Sequence, residues 1–301
     1  MTRGCNLCGS GVSRHVFTKR GWRLAVCAVC GLMRVEPMPS AEQIAKMYAP
    51  TAGYQLGRLR GPTRYTRWEA ARSERLASIT GPPPRPDARL LDVGCSTGDF
   101  LERARARGWR IDGIDRSPHL AAFAQVKRGL PVVQGSVEDV VPRFGRASFA
   151  AITLWDVIEH LPAPLDAMRD LHRALEPGGT LFVATPNLHG WVPRFHWSLV
   201  RPIAGVWPHP EPPLHLHQFS VATITRLFTA AGFERVRFLP DAIPLWYTSG
   251  FQGEPRLAQW LRGEPGVSGA RAIYLTTLPV FLAAHLFGRG DSMVVCGSRP
   301  G

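Results

Sequence analysis

The segment Leu90-Leu91-Asp92-Val93-Gly94-Cys95-Ser96-Thr97-Gly98-Asp99-Phe100 reads as an apolar strand that ends in an acid, a tight Gly-x-Ser-x-Gly turn, and the start of a helix. Glycines in such a turn let backbone N–H groups approach a ligand closely. The helix that follows points its positive end at a negative group. Working outward, Trp109-Arg110-Ile111-Asp112-Gly113-Ile114-Asp115 reads as a second strand tipped by a carboxylate, with Asp115 lying 21 residues after Gly94.

Three readings of the turn compete. A dinucleotide fold would show Gly-x-Gly-x-x-Gly, and here the second glycine is Ser96. A hydrolase nucleophile elbow is satisfied literally by Gly94-Cys95-Ser96-Thr97-Gly98. It has no use for Asp115, however, and no His-Gly-Gly-Gly-like oxyanion loop lies upstream. The third reading is the cofactor loop of a methyltransferase, in which the carboxylate on the second strand accepts hydrogen bonds from ribose hydroxyls.

From Leu90 to Asn187 the chain resembles the class I S-adenosylmethionine-dependent methyltransferases. Asp92-Val93-Gly94-Cys95 with Gly98 matches the first motif and Ile114-Asp115 the second. Gly135-Ser136-Val137-Glu138-Asp139 stands where the family often has Gly-Asp, so Ser136 is a departure. Trp155-Asp156-Val157-Ile158-Glu159-His160-Leu161 and Leu175-Glu176-Pro177-Gly178-Gly179-Thr180 match the fourth and fifth strands, and His217-Gln218-Phe219-Ser220 and Ala231-Gly232-Phe233 also fit. The resemblance implies an α/β fold: a Rossmann-like, seven-stranded, mostly parallel sheet with helices on both faces. It also implies S-adenosylmethionine as cofactor, contacted by Asp92, Gly94, Cys95, Ser96, Gly98, Asp115, Arg116, Ser136, Val137 and Trp155.

The 301 residues are 45% hydrophobic, enough for one full α/β domain and a small module. The sequence opens without an apolar signal segment, and no run reaches the roughly 18 apolar residues of a membrane span. A cytoplasmic protein is expected. The net charge of +13 is uneven: residues 1–89 carry 15 basic against 5 acidic side chains and residues 90–301 carry 21 against 18. The excess is nearly all Arg, as a GC-rich genome would give, or it forms a basic surface for an anionic partner such as phosphate, lipid or RNA.

Cys5, Cys8, Cys27 and Cys30 form C-x2-C-x18-C-x2-C, the spacing of a four-thiolate zinc site. Gly9 and Gly31 follow the second cysteine of each pair, where a tight knuckle turns backbone amides toward sulfur. Four thiolates leave no open coordination position, so this Zn2+ is structural. A segment of about 35 residues draws much of its folding energy from the metal.

The expected organisation is a zinc-ribbon-like module at 1–39, a helical linker or lid at 40–87, and the cofactor-binding domain at 88–301 with insertions at 188–216 and 241–289. Helices at about 40–48 and 65–79 precede Gly81-Pro82-Pro83-Pro84, which no helix continues through. Alternating strands and helices from residue 89 to 239, with a last strand at 292–297, argue the parallel sheet. The first insertion carries Trp191, Phe195, Trp197 and Trp207 and is the candidate cover for the acceptor; its Trp and Arg content also suits a membrane interface. In the second, residues 272–288 read as a helix buried on the domain, or as a peripheral membrane anchor.

Methyl transfer is an in-line displacement, for which alignment alone supplies about 7–11 kcal/mol. An oxygen or nitrogen acceptor must also lose a proton. Asp156, Glu159 and His160 cluster at the tip of the fourth strand, with His160 as base or as a core histidine. The cluster is similar to that of the ubiquinone-pathway O-methyltransferases, some of which link it to a divalent metal; Asp156 replaces their Glu. His209, His215 and His217 are further candidates near the acceptor. The expected activity is O-methylation of a small-molecule or carrier-linked acceptor. The rivals are RNA methylation through the basic N-terminal region and a non-catalytic S-adenosylmethionine-binding protein.

Overall fold

The structure is a computed structural model that describes residues 4–48, 64–205, 207, 209–239, 241 and 268–301. In chain order it contains β1 (Ser13–Lys19), β2 (Trp22–Cys27), β3 (Met33–Val35), α1 (Ala41–Met47), α2 (Arg64–Thr80), β4 (Arg89–Val93), α3 (Asp99–Ala106), β5 (Arg110–Asp115) and α4 (Pro118–Arg128). Then come β6 (Val132–Gln134), α5 (Val140–Phe144), β7 (Phe149–Trp155), α6 (Pro164–Ala174), β8 (Leu175–Pro186), α7 (Trp191–Phe195), a π-helical turn (His196–Val200) and α8 (Arg201–Ala204). The chain closes with β9 (His217–Gln218), α9 (Val221–Ala230), β10 (Glu234–Leu239), α10 (Ser268–Leu286) and β11 (Ser292–Ser298).

The large sheet has seven strands in the order β10-β11-β8-β7-β4-β5-β6, as expected. Pairings β5–β4, β4–β7, β7–β8 and β5–β6 are parallel. The strands at its centre are covered on both faces, which is why Leu90, Leu91, Val93 and the run Phe149–Leu154 are continuously apolar or small rather than alternating. Strand β11 runs antiparallel to β8: Gly178 and Gly179 exchange backbone hydrogen bonds with Arg299 at one end, and Asn187 bonds Asp291 at the other. The helices begin where short polar side chains satisfy free N–H groups. Ser40 and Gln43 form a capping box on α1, and Ser117 caps α4 before Pro118, with Gly129 ending that helix at φ 59°.

The chain divides into two compact units. One comprises residues 38–184, 225–239 and 295–301 and holds most of the large sheet. The other gathers residues 1–37, 185–224 and 240–294, so the N-terminal cysteine segment shares a unit with the two stretches expected as insertions of the main domain. Its four-stranded sheet shows the reason. Strands β1, β2 and β3 form a meander, and β9 adds to β3 with Arg34 opposite His217. Below it lies a core of Leu24, Met33, Val35, Leu188 and Trp207, with Phe17 and Trp197 packed against it. Trp197 and Trp207, expected over the acceptor, pack on each other with centroids 4.5 Å apart and planes tilted by 58°, and each meets Phe17 edge-on. A module of 37 residues has too little apolar surface for its own core, and these tryptophans supply it.

Helix α10 is buried on one side only: Thr277 and Ala284 are enclosed, whereas Leu275, Leu282 and Leu286 are exposed. Among the described residues no helix is long and apolar enough to cross a membrane. Tyr54 and the stretch 242–267 lie outside the described residues.

Candidate functional site

In the sheet order the chain passes from β4 outward to β5 and β6, then returns to the other side of β4 as β7. A crevice opens beyond the carboxyl ends of strands at such a reversal. A cleft of about 900 Å3, counted out to its mouth, lies there. Its walls include Gly94 and Ser96 after β4, Asp115, Arg116 and Ser117 after β5, Ser136 to Glu138 after β6, and Trp155 to Val157 with His160 after β7. Tyr48, just past α1, also lines it.

The turn after β4 takes left-handed backbone three times: Gly94 at φ 74°, Ser96 at 52° and Gly98 at 85°. Ser96 thus occupies a glycine conformation that an L-residue adopts at a cost. Its N–H donates to Asp115 Oδ2 over 2.7 Å, which anchors it there. Asp115 Oδ1 accepts from the Ser117 N–H at 2.8 Å. Both carboxylate oxygens are thus anchored to backbone N–H groups. Gly94 cannot be replaced freely, because a Cβ there would stand 2.5 Å from Val157 Cγ2.

Three of the expected contacts do not line the cleft. Asp92 is 2% exposed and accepts from Thr153 Oγ1 at 2.7 Å. Full burial pushes its pKa up to about 8, against that hydrogen bond, and the nearby charge of Asp115 adds to the rise. Its carboxyl is thus a structural group beneath the turn. Cys95 is buried, its sulfur 2.9 Å from where a Cβ on Gly113 would lie, and burial raises its thiol pKa. Gly98 is the N-cap of α3 and approaches Leu130 too closely for any side chain.

The departure at Ser136 has a local role. Asp139 Oδ2 accepts from the Ser136 N–H at 2.9 Å and from its hydroxyl at 3.1 Å. The backbone bond is the main reason the Asp139 pKa is lowered. Ser136 and Val137 remain on the wall of the cleft. Trp155 meets Phe100 edge-on at 5.2 Å, and its buried Nε1–H has no hydrogen-bond partner among the described residues.

The three acid–base candidates are separated by burial and partner. Asp156 stands at φ 56° and is clasped by Nη1 and Nη2 of Arg72 from α2, Nη2 lying 3.2 Å from Oδ1. Glu159 is 1% exposed and does not line the cleft. His160 does, with its ring 6.5 Å from that of Tyr48. Arg116 in turn lies 5.5 Å from the centre of the Tyr48 ring. Sequence reasoning missed Tyr48 and Arg72 as site residues; the apolar spacing of their helices announces burial, not a cleft.

The cysteine cluster is built as a double knuckle. Cys5 and Cys30 sulfurs are 3.5 Å apart, Cys8 and Cys27 sulfurs 3.6 Å, and all four lie within 4.8 Å of one another. A tetrahedral Zn–S distance of about 2.3 Å places sulfurs roughly 3.8 Å apart, so the set fits one ion. Gly9 N–H returns to the Cys5 carbonyl and Gly31 N–H to that of Cys27, with the glycines at φ 74° and 79°. At Cys27, burial opposes the thiolate, but the Cys30 and Val29 N–H groups outweigh it and bring the thiol to about 6.

In the same unit, His196 Nε2 lies 2.7 Å from Thr277 Oγ1 and His196 Nδ1 lies 2.8 Å from His209 Nε2. Burial drops the His196 pKa to about 4 and that of His209 well below the ordinary range. His209 and His217 are buried, and His215 lies 4.0 Å from Glu211. The basic excess of residues 1–89 is partly neutralised internally: Arg34, Lys46, Arg72, Arg85 and Arg89 each pair with a carboxylate.

Residues 63–237 match a protein family described as a methyltransferase domain. A ubiquinone biosynthesis O-methyltransferase of Xanthomonas campestris pv. campestris (strain B100) is 39% identical over 119 residues, 38% of this chain and 49% of that protein. The enzyme of the same name from Paracidovorax citrulli (strain AAC00-1) is 33% identical over 119 residues, 38% of this chain and 50% of that one. The chain thus spans about half the length of the curated relatives it matches. Among solved structures, a SAM-dependent methyltransferase from Thermotoga maritima aligns with TM-score 0.51 and 19% identity, covering 84% of this chain and 97% of that one. The cyclase SpnF aligns with TM-score 0.52 and 21% identity, covering 88% and 98%. At such identities the likeness is one of fold, and a cyclase in the set means the fold leaves the reaction open.

Proposed function

The chain belongs to the methyltransferase-domain family, and on that premise we propose that it transfers a methyl group from S-adenosylmethionine to an oxygen of a small-molecule or carrier-linked acceptor. The observation that carries the reading is Asp115. Its carboxylate sits on the cleft wall at the tip of β5, fixed by the backbone N–H groups of Ser96 and Ser117, at the position of the acid that accepts from ribose hydroxyls in the family the chain resembles. Bound S-adenosylmethionine supplies a methyl group on a sulfonium, already activated for displacement.

The chain's own residues orient and exclude water. Gly94 lets backbone approach the ligand, while Tyr48, Leu120 and Trp155 give apolar walls. His160 is the proton acceptor for the incoming hydroxyl, because an imidazole titrates near neutrality and this one alone of the three candidates is both on the wall and outside an ion pair with Arg72. Asp156 is a positioning residue that holds α2 to the tip of β7. The preference for oxygen rests on the O-methyltransferases that the chain resembles. Cys5, Cys8, Cys27 and Cys30 hold one structural Zn2+, a reading supported by their mutual distances.

The test is transfer of labelled methyl from S-adenosylmethionine into quinone, glycan and RNA pools. Label in a small-molecule hydroxyl is expected, with activity lost in His160→Ala while calorimetry still detects S-adenosylmethionine binding. Label confined to RNA overturns the acceptor, and absence of calorimetric binding overturns the cofactor.

A further inference from the structure

Two helical segments of the unit that contains the cysteine cluster turn apolar side chains outward. Residues 191–204 run helically through α7, the π-helical turn and α8. Val192, Pro193, His196 and Val200 face inward, whereas Trp191, Leu199 and Ile203 are exposed at helical spacing. Helix α10 repeats the arrangement: Leu275, Leu282 and Leu286 are exposed at i, i+7 and i+11, and Phe287 follows at 65% exposure. The two faces adjoin. The Trp191 and Phe287 rings are 5.7 Å apart, and the Trp191 N–H donates to the Arg289 carbonyl at 2.9 Å. Between them runs a shallow groove lined by Trp191, Arg194, Phe195, Ser198 and Val280. Seven of the twelve exposed large apolar side chains among the described residues belong to this face, so they form a patch rather than a scatter.

Its charge is of one sign. Residues 188–210 and 268–290 contain Arg194, Arg201, Arg271 and Arg289 and no Asp or Glu. Arg194 and Arg289 are exposed. A symmetric pair of this chain would set those arginines against their own copies, with no carboxylate among the described residues of the two segments to separate them. A surface that is apolar underneath and anionic at its rim complements both properties. No described helix is both long and apolar enough to cross a membrane, and the exposed apolar side chains lie on one side of each helix, which suits a helix pair lying in the interface with Trp191 at headgroup level. We propose that the face made by residues 191–203 and 275–289 docks this protein on an anionic lipid bilayer.

Vesicle flotation tests it with the full chain. Binding is expected to phosphatidylcholine vesicles that contain phosphatidylglycerol, and to fall steeply on pure phosphatidylcholine or in high salt. Leu282→Glu and Leu286→Glu each weaken partitioning by roughly tenfold or more. Arg194→Gln and Arg289→Gln each weaken it about fivefold on anionic vesicles only. All four positions are exposed, and thermal unfolding is expected to be unchanged in each variant. The proposal is overturned by absence of flotation with anionic vesicles, or by flotation unaffected in Leu282→Glu. Analytical ultracentrifugation covers the rival: a dimer that Leu282→Glu dissociates, with no vesicle binding, assigns the face to a second copy of the chain.

Discussion

The N–H of Ser96 donates to Asp115 Oδ2 over 2.7 Å, joining the turn after the first strand of the large sheet's core to the acid at the tip of the next. Two motifs 19 residues apart thereby act as one device. The acid holds a non-glycine residue in left-handed backbone, and the turn holds the acid against the cleft.

Asp115→Asn is expected to weaken S-adenosylmethionine binding by roughly 10- to 100-fold, the worth of a hydrogen bond to a charged group. The amide cannot accept on both sides, so either Ser96 or Ser117 also loses its anchor. Calorimetry measures the affinity and a melting curve the accompanying loss of stability. Unchanged affinity would remove Asp115 from the ligand site.

Arg72 and Asp156 make a second test. The Arg72 side chain is 9% exposed and that of Asp156 33%, so Asp156→Asn removes a carboxylate from against a largely buried guanidinium. Partial solvent access at Asp156 reduces the cost to about 1–3 kcal/mol. Arg72→Gln in the same chain is expected to recover part of it, which a double-mutant cycle on thermal unfolding reads out. A role for Asp156 in proton transfer predicts instead a large fall in kcat with stability unchanged.

Removal of metal probes the cysteine cluster. One zinc per chain is expected by elemental analysis, and a chelator is expected to unfold β1 to β3 and β9 together, since all four strands share one core. Cys27→Ser is expected to abolish zinc retention. Retention of strand signal after complete chelation would overturn the structural role.

Stability is expected to depend on pH through buried groups of opposite sign, with His196 and its neighbour His209 on the acid side and Asp92 on the alkaline side. His196 has its pKa lowered to about 4, so between pH 6.5 and 4 the unfolded chain binds the proton and the folded one does not. Its contribution is complete above pH 6.5 and falls by roughly 3 kcal/mol as pH drops through 4. Asp92 has its pKa raised to about 8, so the folded chain holds the proton longer, and stability falls as pH rises from about 4 through 8. Melting temperatures across this range are expected to flatten on the acid side in His196→Gln. They are expected to rise on the alkaline side in Asp92→Asn, which keeps an acceptor for Thr153. An unchanged profile in both variants would falsify the linkage.

The large sheet was legible because its signals are local. Strand β7 is apolar along its length, Ser117-Pro118 opens α4 and Gly129 closes it, and each feature reports on its own few residues. The cleft was legible where a motif supplied backbone, as at Gly94, Ser96 and Asp115. Asp92, Cys95 and Gly98 belong to the same motifs yet do not line the cleft. A motif names a segment, whereas packing beneath the turn, as of Asp92 on Thr153 and of Gly98 on Leu130, decides which of its residues reach the cleft wall.

By itself the sequence determined the α/β sheet, the turn with its paired acid and the four-thiolate cluster, because each rests on short-range periodicity or spacing. Only the tertiary structure decided that β9 completes the sheet of the cysteine segment, that Trp197 and Trp207 form that unit's core, and that Arg72 clasps Asp156. These contacts join residues tens to nearly two hundred positions apart. An apolar stripe or a lone arginine records that a partner exists, but which distant surface provides it follows from how all the elements bury their faces at once.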